Sequence, residues 1–132
     1  ADAAEIFGVG IFGMVNTFHE KVYKERGIKF IAEFYSDLEY DETGYLVIAK
    51  GRNKYYPADL AVERCMRAIK ENKVKTVNNT DIDVGCETIC VHSDTPNAIE
   101  ILQALRKNMS QNNLPKESKD ITDKKMPYIV AD

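Results

Sequence analysis

The sequence predicts an α/β domain, because stretches with the composition of buried strands alternate with amphipathic segments along most of its 132 residues. That length is suited to one domain with its own hydrophobic core. We expect residues 1–110 to form this domain. Residues 111–132 are polar and lack periodicity apart from one short apolar patch, so we expect them to form a flexible tail.

The first part of the chain predicts a strand, a helix and a second strand. Glu5 to Phe12 mixes apolar residues with glycine and reads as a short buried strand that ends at Gly13. Apolar residues recur at helical spacing from Met14 to Arg26, and Gly27 is a suitable helix stop. Ile28 to Phe34 is rich in β-branched and aromatic residues, which favours a strand. So short a unit favours two parallel strands joined by a crossover helix.

The segment from Tyr35 to Tyr56 is polar, aromatic and irregular, with a turn at residues 41–44. We interpret it as a long functional loop, since loops of this length in compact domains are commonly working parts or disordered. Its five tyrosines argue against simple disorder, which stays open as the alternative.

A helix and a hairpin are predicted after this loop. The helix runs from Pro57 to about Asn72, with an apolar face that includes Cys65 and a polar face that includes Arg64. Residues 74–77 and 82–84 flank Asn78-Asn79, which is a plausible hairpin turn.

The most informative polar cluster follows the predicted strand Thr88 to His92. Asp94 to Pro96 supplies a helix N-cap and a first-turn proline, so a helix is expected from there to about Ser110. This places imidazole and carboxylate at the carboxyl end of a strand, the edge where parallel α/β folds collect ligands. His92 could carry a proton or bind a metal, and Asp94 could act as acid, base or cation partner. A buried structural histidine beside a helix cap is the alternative.

Glu33 is a second candidate, because a carboxylate in an apolar strand is costly to bury without a partner. With Asp37 and Tyr40 in the following loop, it could form an acidic cluster on the same edge as His92, suited to a cation, an amine or proton transfer. A solvated edge of ordinary carboxylates is the alternative.

Metal and nucleotide motifs are not evident. Cys86, Cys90 and His92 have a spacing that matches no standard zinc module, so no metal site is predicted. Strand alternation instead points Cys90 and His92 to one face. The glycines at 8, 10 and 13 miss the dinucleotide-binding spacing, and there is no P-loop.

Composition excludes several classes of partner. The net charge of -3 offers no general attraction for nucleic acid. No apolar run approaches the about 18 residues of a membrane span, so a soluble protein is expected. The odd number of scattered cysteines is typical of a reducing cytoplasm rather than of a disulfide framework.

Two ordered motifs resemble a known family. Residues 87–105, ETICVHSDTPNAIEILQAL, resemble the T-I-C-V-H-G-D-T-P signature of the LamB/YcsF lactam-utilisation family, whose members include 5-oxoprolinase A subunits. Residues 32–40, AEFYSDLEY, are similar to the family's E-x-F-A-D-R-x-Y segment, and a D-x-x-G-x-L turn follows at residues 41–46. The similarity spans about residues 5–109.

The resemblance implies a fold and an activity. The fold would be the C-terminal half of a (β/α)7-type barrel related to polysaccharide deacetylases. The activity would be ATP-dependent opening of 5-oxo-L-proline to L-glutamate, with magnesium as a conceivable companion of the ATP and other 5-oxoprolinase subunits as partners; a homo-oligomer stays open. The residues expected to act in catalysis are Glu33, Asp37, His92 and Asp94, and those expected to contact substrate are Tyr40 and Thr95. Glu33 and Asp37 would serve positioning or proton transfer, His92 acid/base work, and Asp94 would orient His92 or the substrate nitrogen.

The chain departs from the family pattern in length and at two positions. Family members are about twice as long, and their other half carries the Asp/Asn and His motifs of the pocket. Leu38 stands where the pattern has Arg, which removes a guanidinium suited to a carboxylate or phosphate, and Ser93 stands where it has Gly. Two other functions therefore stay open: a non-catalytic binding or assembly module, and a metal-dependent amide hydrolase.

Overall fold

The chain folds into a small parallel sheet with two hairpins and four helices, as seen in a computed structural model that describes residues 1–48, 54–112 and 114. In chain order the elements are α1 (Asp2–Phe7), β1 (Ile11–Gly13), α2 (Phe18–Glu25), β2 (Phe30–Tyr35), β3 (Glu39–Tyr40), β4 (Leu46–Val47), α3 (Ala58–Glu71), β5 (Lys73–Lys75), β6 (Asp81–Asp83), β7 (Thr88–Cys90) and α4 (Ala98–Gln111).

The central sheet has the order β1-β2-β7, and both pairings are parallel. In register, Ile11 lies opposite Phe30, and Tyr35 lies opposite Cys90. The predicted α/β class and the parallel strand–helix–strand unit are confirmed. Because β2 and β7 run in the same direction, the loops that follow them leave the sheet at one edge.

Two antiparallel hairpins accompany the sheet. The hairpin of β5 and β6 has its turn at the predicted asparagines, and Asn79 adopts the left-handed conformation with φ of 62°. The other hairpin pairs β3 with β4 inside the segment predicted as an irregular loop. Asp41 explains that difference, because its Oδ1 atom accepts hydrogen bonds from the backbone of Thr43 and Tyr45 and closes the turn.

The first strand is shorter than predicted, because residues 2–7 form a helix. Gly8 ends this helix in the left-handed conformation with φ of 61°. Arg26 fixes the helix from a distance in sequence: its Nη1 atom lies 2.7 Å from Asp2, and its Nε atom donates to Glu5 at 2.8 Å. The prediction of a strand starting at Glu5 is therefore wrong, and only residues 11–13 are extended.

The second helix starts at Phe18 rather than at Met14. Thr17 caps it, since its hydroxyl accepts a hydrogen bond from the backbone N–H of Glu20. The Glu20 side chain accepts in turn from the backbone N–H of Asn16. The Thr17-x-x-Glu20 spacing is that of a capping box, which moves the helix start past the apolar residues before it.

The last helix starts at Ala98, with Asn97 rather than Asp94 at its N-cap. The Thr95 hydroxyl donates to the buried Asp37 carboxylate. The Asn97 amide accepts a hydrogen bond from the Tyr56 backbone N–H and donates one to the Tyr56 carbonyl. Neither side chain is therefore available to cap the helix. The helix continues to Gln111, one residue past the predicted domain limit. Residues 113 and 115–132 of the predicted tail lie outside the described residues.

The core forms between α3, α4 and one face of β2. Its fully buried side chains include Phe34, Cys65 and Ile101. Arg64 belongs to the same interior, with only 7% of its surface exposed, so its assignment to the polar face of the helix is wrong. The reason is that three aromatic rings and several oxygen atoms surround its guanidinium. Within the described part of the chain, no helix is both long and apolar enough to cross a membrane.

Candidate functional site

The sheet brings Asp37 and His92 together at its carboxyl edge. Asp37 follows the end of β2 by two residues, and His92 follows the end of β7 by two residues. The His92 Nδ1 atom lies 2.7 Å from Asp37 Oδ1, and the His92 backbone N–H donates to Asp37 Oδ2 at 3.1 Å. The structure thus places two of the four predicted catalytic residues in direct contact.

The Asp37 carboxylate is fully enclosed and has a third donor. Its side chain has 0% exposure, against 20% for His92, and the Thr95 hydroxyl donates to Oδ2 at 2.5 Å. Burial alone would raise the pKa of Asp37, but the hydrogen bonds from Thr95 and His92 outweigh it and hold that pKa below its ordinary value. Asp37 is therefore a fixed anion that accepts a hydrogen bond from Nδ1–H, leaving Nε2 as the basic nitrogen of a neutral His92 ring.

Glu33 reaches this pair indirectly, through Tyr35. The Tyr35 hydroxyl donates to Glu33 Oε2 at 2.8 Å, and the Tyr35 ring stacks on His92 with the centroids 5.7 Å apart. The two side chains share a face of β2 because they are two residues apart in a strand. Sequence reasoning missed Tyr35, although its place at i+2 from Glu33 was the available signal.

The two residues predicted to contact substrate occupy different environments. Tyr40 is 3% exposed, stacks on Phe34 and accepts a hydrogen bond from the backbone N–H of Tyr35. Burial raises the pKa of Tyr40 to about 12, so its hydroxyl is a neutral structural group. Thr95 is half-buried and bonded to Asp37, beside the imidazole.

Asp94 lies on the exposed turn between His92 and the last helix. The Thr95 backbone N–H donates to the His92 carbonyl at 3.2 Å and closes that turn. Because Asp37 holds His92 Nδ1, the structure gives the orienting contact to Asp37, whereas the sequence predicted that Asp94 could provide it.

A buried guanidinium supports the loop that carries Asp37. Arg64 Nη2 donates to the Leu38 carbonyl at 2.5 Å, and Nη1 bonds to the Tyr56 hydroxyl and lies 3.1 Å from Glu39. Three rings surround the guanidinium at 5.7–6.0 Å, namely Phe34, Tyr40 and Tyr56. Leu38 stands where the family pattern has Arg, and Arg64 of α3 bonds to the backbone carbonyl of this residue.

The nearby cavity is acidic and does not include the Asp37–His92 pair. It has a volume of about 310 Å³, and the predicted site residues on its wall are Glu33 and Tyr40. The other carboxylates that line it are those of Glu42, Asp81 and Asp83. Of these, Asp81 and Asp83 are paired with cationic side chains, so the charge of the wall is partly neutralised.

The two cysteines near β7 are partly buried thiols. Burial raises the pKa of the Cys86 and Cys90 thiols to about 11, so both are protonated at neutral pH and are poor nucleophiles. Within residues 1–48, 54–112 and 114, no group of three His, Cys, Asp or Glu side chains is arranged to hold a metal ion.

Comparison with known proteins gives consistent matches. A sequence model of the LamB/YcsF family matches residues 3–123, which extends past the predicted limit of similarity near residue 109. The chain is 39% identical over 87 residues to a 5-oxoprolinase A subunit of Pseudomonas putida, covering 66% of this chain and 34% of that protein. It is 36% identical over 111 residues to the lactam utilization protein lamB of Emericella nidulans, covering 80% of this chain and 43% of that protein.

A solved structure shares the fold. The crystal structure of a lactam utilization protein from Thermus thermophilus superimposes with a TM-score of 0.72 at 23% identity, over 85% of this chain and 45% of that one. The matched part of the chain therefore covers less than half the length of each of these three relatives.

Proposed function

Because the chain belongs to the LamB/YcsF family, we propose that it forms part of a 5-oxoprolinase A subunit and takes part in hydrolysing 5-oxo-L-proline to L-glutamate. The names of its relatives support this substrate. The observation that carries the proposal is the hydrogen bond between His92 Nδ1 and the enclosed Asp37 carboxylate, because it is the arrangement of a general base held by a fixed anion.

In the proposed reaction, His92 carries a proton from the attacking water to the leaving nitrogen. As water attacks the lactam carbonyl, its proton passes to His92 Nε2 while the new C–O bond forms. The ring C–N bond then breaks, and the imidazolium returns the proton to the leaving nitrogen. Asp37 stabilises the imidazolium and holds its Nδ1 atom, and we assign contact with the substrate nitrogen to the exposed Asp94.

The residues that surround His92 do not fit ATP. A triphosphate needs cationic side chains or a glycine-rich loop, yet the described contacts of Asp37 come from His92 and Thr95, and Glu33 adds negative charge nearby. We derive no step through the nucleotide. The ATP dependence that the family resemblance implies, and any magnesium, would then reside away from His92 in the assembled enzyme.

An open strand edge supports the partner proposal. Within the described residues β1 pairs only with β2, so its other edge offers unpaired backbone groups. Large apolar side chains are exposed around it, namely Ile6, Phe7, Phe12 and Phe18. Since the relatives are about twice as long, we propose that further polypeptide of the (β/α)7-type barrel covers this edge, and that the other oxoprolinase subunits join the complete protein.

Replacing His92 by alanine in the assembled oxoprolinase tests the proposal, with glutamate formation from 5-oxoproline as the measurement. Loss of a general acid–base group should lower kcat by about 10²- to 10⁴-fold. His19→Ala is the matched control, because His19 is exposed on α2 and stacks only on Tyr23 among the ring contacts described. Assembly with undiminished turnover in His92→Ala would instead favour the binding or assembly module.

A further inference from the structure

The face of the His92 imidazole is covered by Tyr35. The two rings are inclined by 19° with their centroids 5.7 Å apart, which is an offset stack. The sheet register produces this contact, since Tyr35 is the last residue of β2 and lies opposite Cys90, the last residue of β7. His92 follows Cys90 by two residues and so emerges on the same side.

Tyr35 is itself held by hydrogen bonds at its hydroxyl and at its backbone. Its hydroxyl donates to Glu33 Oε2 at 2.8 Å, and its backbone N–H donates to the buried Tyr40 hydroxyl at 3.0 Å. Burial, reinforced by the Glu33 carboxylate, raises the pKa of Tyr35, so the phenol remains a neutral donor over the physiological range. The ring is therefore held through its hydroxyl by Glu33 of the same strand, and its backbone is held by Tyr40 of β3.

One hydrogen bond does not determine the orientation of an imidazole. The contact to Asp37 holds Nδ1, but small rotations about the Cα–Cβ and Cβ–Cγ bonds can still tilt the ring plane and redirect Nε2. Packing against a flat ring removes that freedom.

We propose that Tyr35, anchored by Glu33, is a positioning residue that sets the plane of the His92 ring and thereby the direction of Nε2. This inference rests on the proposed role of His92 as the proton carrier. It gives Glu33 the task of holding Tyr35, in place of a direct proton transfer. Tyr35 touches no reacting atom in this arrangement, so its effect acts through His92.

The test compares Tyr35→Leu, which removes the stacked face, with Tyr35→Phe, which keeps the face and removes the anchor. In the assembled enzyme, Tyr35→Leu should lower kcat by between about tenfold and 10²-fold with little change in KM, because a misdirected base slows the chemical step. Tyr35→Phe should give an intermediate kcat, because it keeps the stacked face but loses the hydrogen bond to Glu33. Equal kcat in wild type and Tyr35→Leu would overturn the inference.

A second measurement is independent of turnover. Carbon-labelled histidine gives ring C–H NMR signals for the two histidines of the chain, and the His92 signals should shift and broaden in Tyr35→Leu and do so to a smaller extent in Tyr35→Phe. The His19 signals are the internal control, because that ring stacks on Tyr23 in α2. Unchanged His92 signals in Tyr35→Leu would show that the stack does not hold the ring.

The two measurements separate this inference from the proposed function. If His92→Ala abolishes turnover and Tyr35→Leu does not lower it, positioning by Tyr35 is wrong and the role of His92 stands. If His92→Ala retains turnover, the proposed function fails, and the NMR signals still report whether Tyr35 orients the ring. Tyr35→Phe keeps the test usable should the leucine variant fold poorly.

Discussion

The Nδ1 atom of His92 lies 2.7 Å from the Oδ1 atom of Asp37, although the two residues are 55 positions apart in the chain. The contact exists because β2 and β7 are parallel neighbours whose following loops meet at one edge. Thr95 adds a hydroxyl to the same carboxylate at 2.5 Å, so an anion with 0% side-chain exposure has donors on both oxygens. The stability of this edge and its proposed chemistry therefore depend on the same group.

Asp37→Asn should lower both the stability of the fold and the turnover of the assembled enzyme. An amide has one acceptor oxygen and one NH₂ group in place of two acceptor oxygens, so at least one of the donors from His92 and Thr95 would face another donor. We expect the free energy of unfolding to fall by about 1–3 kcal/mol for the unsatisfied group. In the assembled enzyme, kcat should fall by about 10²-fold or more, because the wrong tautomer of the histidine is favoured.

Urea unfolding and steady-state kinetics measure these two effects. Asp59→Asn is the matched control, since Asp59 is exposed in the first turn of α3. If Asp94→Asn lowered kcat and Asp37→Asn did not, the orienting role would return to Asp94, as the sequence alone predicted.

Stability should also depend on pH through Asp37. Its folded-state pKa lies below the ordinary value of 3.8, so the charged form is favoured by folding. The resulting contribution is fully present above the unfolded-state pKa and is lost as pH falls through the folded-state pKa. The difference in unfolding free energy between wild type and Asp37→Asn should therefore be constant near neutral pH and shrink below about pH 4. Denaturant titrations at several pH values measure it; a difference that grew on acidification would contradict the assignment.

Arg64→Met should be much more destabilising than Arg67→Met, although both arginines lie on α3. The Arg64 side chain is 7% exposed and bonds to the Leu38 carbonyl and the Tyr56 hydroxyl, whereas Arg67 is 24% exposed and pairs with Glu71 and Asp81. Removing Arg64 leaves a buried carbonyl without its donor and should cost about 2–4 kcal/mol. Loss of the more exposed pairs of Arg67 should cost about 1 kcal/mol or less.

Thermal unfolding of the two variants at neutral pH provides the comparison. Equal losses for the two arginines would mean that the guanidinium of Arg64 does not support the loop that carries Asp37.

Gly85→Ala should destabilise the fold by overpacking. A Cβ atom at this position would lie 2.5 Å from Val15 Cγ1 and 2.7 Å from Ala32 Cβ, and the second neighbour cannot rotate away. Such insertions cost about 1–3 kcal/mol. Adding Val15→Ala should recover part of the loss, since it removes the closer contact. Chemical unfolding of the single and double variants measures the coupling, and a double variant no more stable than Gly85→Ala would place the strain at Ala32.

Local patterns in the sequence were sufficient for much of this architecture. Strand composition and helical periodicity determined the α/β class and the long helices, because these signals depend on neighbours in the chain. The two motifs identified the segments that carry Asp37 and His92, and strand direction predicted that they share an edge. The helix at residues 2–7 could not be predicted in this way, since its partner Arg26 lies in a different element.

What the sequence by itself determined is therefore which residue types lie at the carboxyl edge of the sheet. Only the tertiary structure decided how they pair: Asp37 rather than Asp94 holds His92, Tyr35 covers the imidazole, and Arg64 is inside the core. The physical reason is that strand register and helix packing select these partners, over separations at which spacing along the chain carries no information. A charged residue such as Arg64 becomes an interior residue only when oxygen atoms and aromatic rings from several segments converge on it.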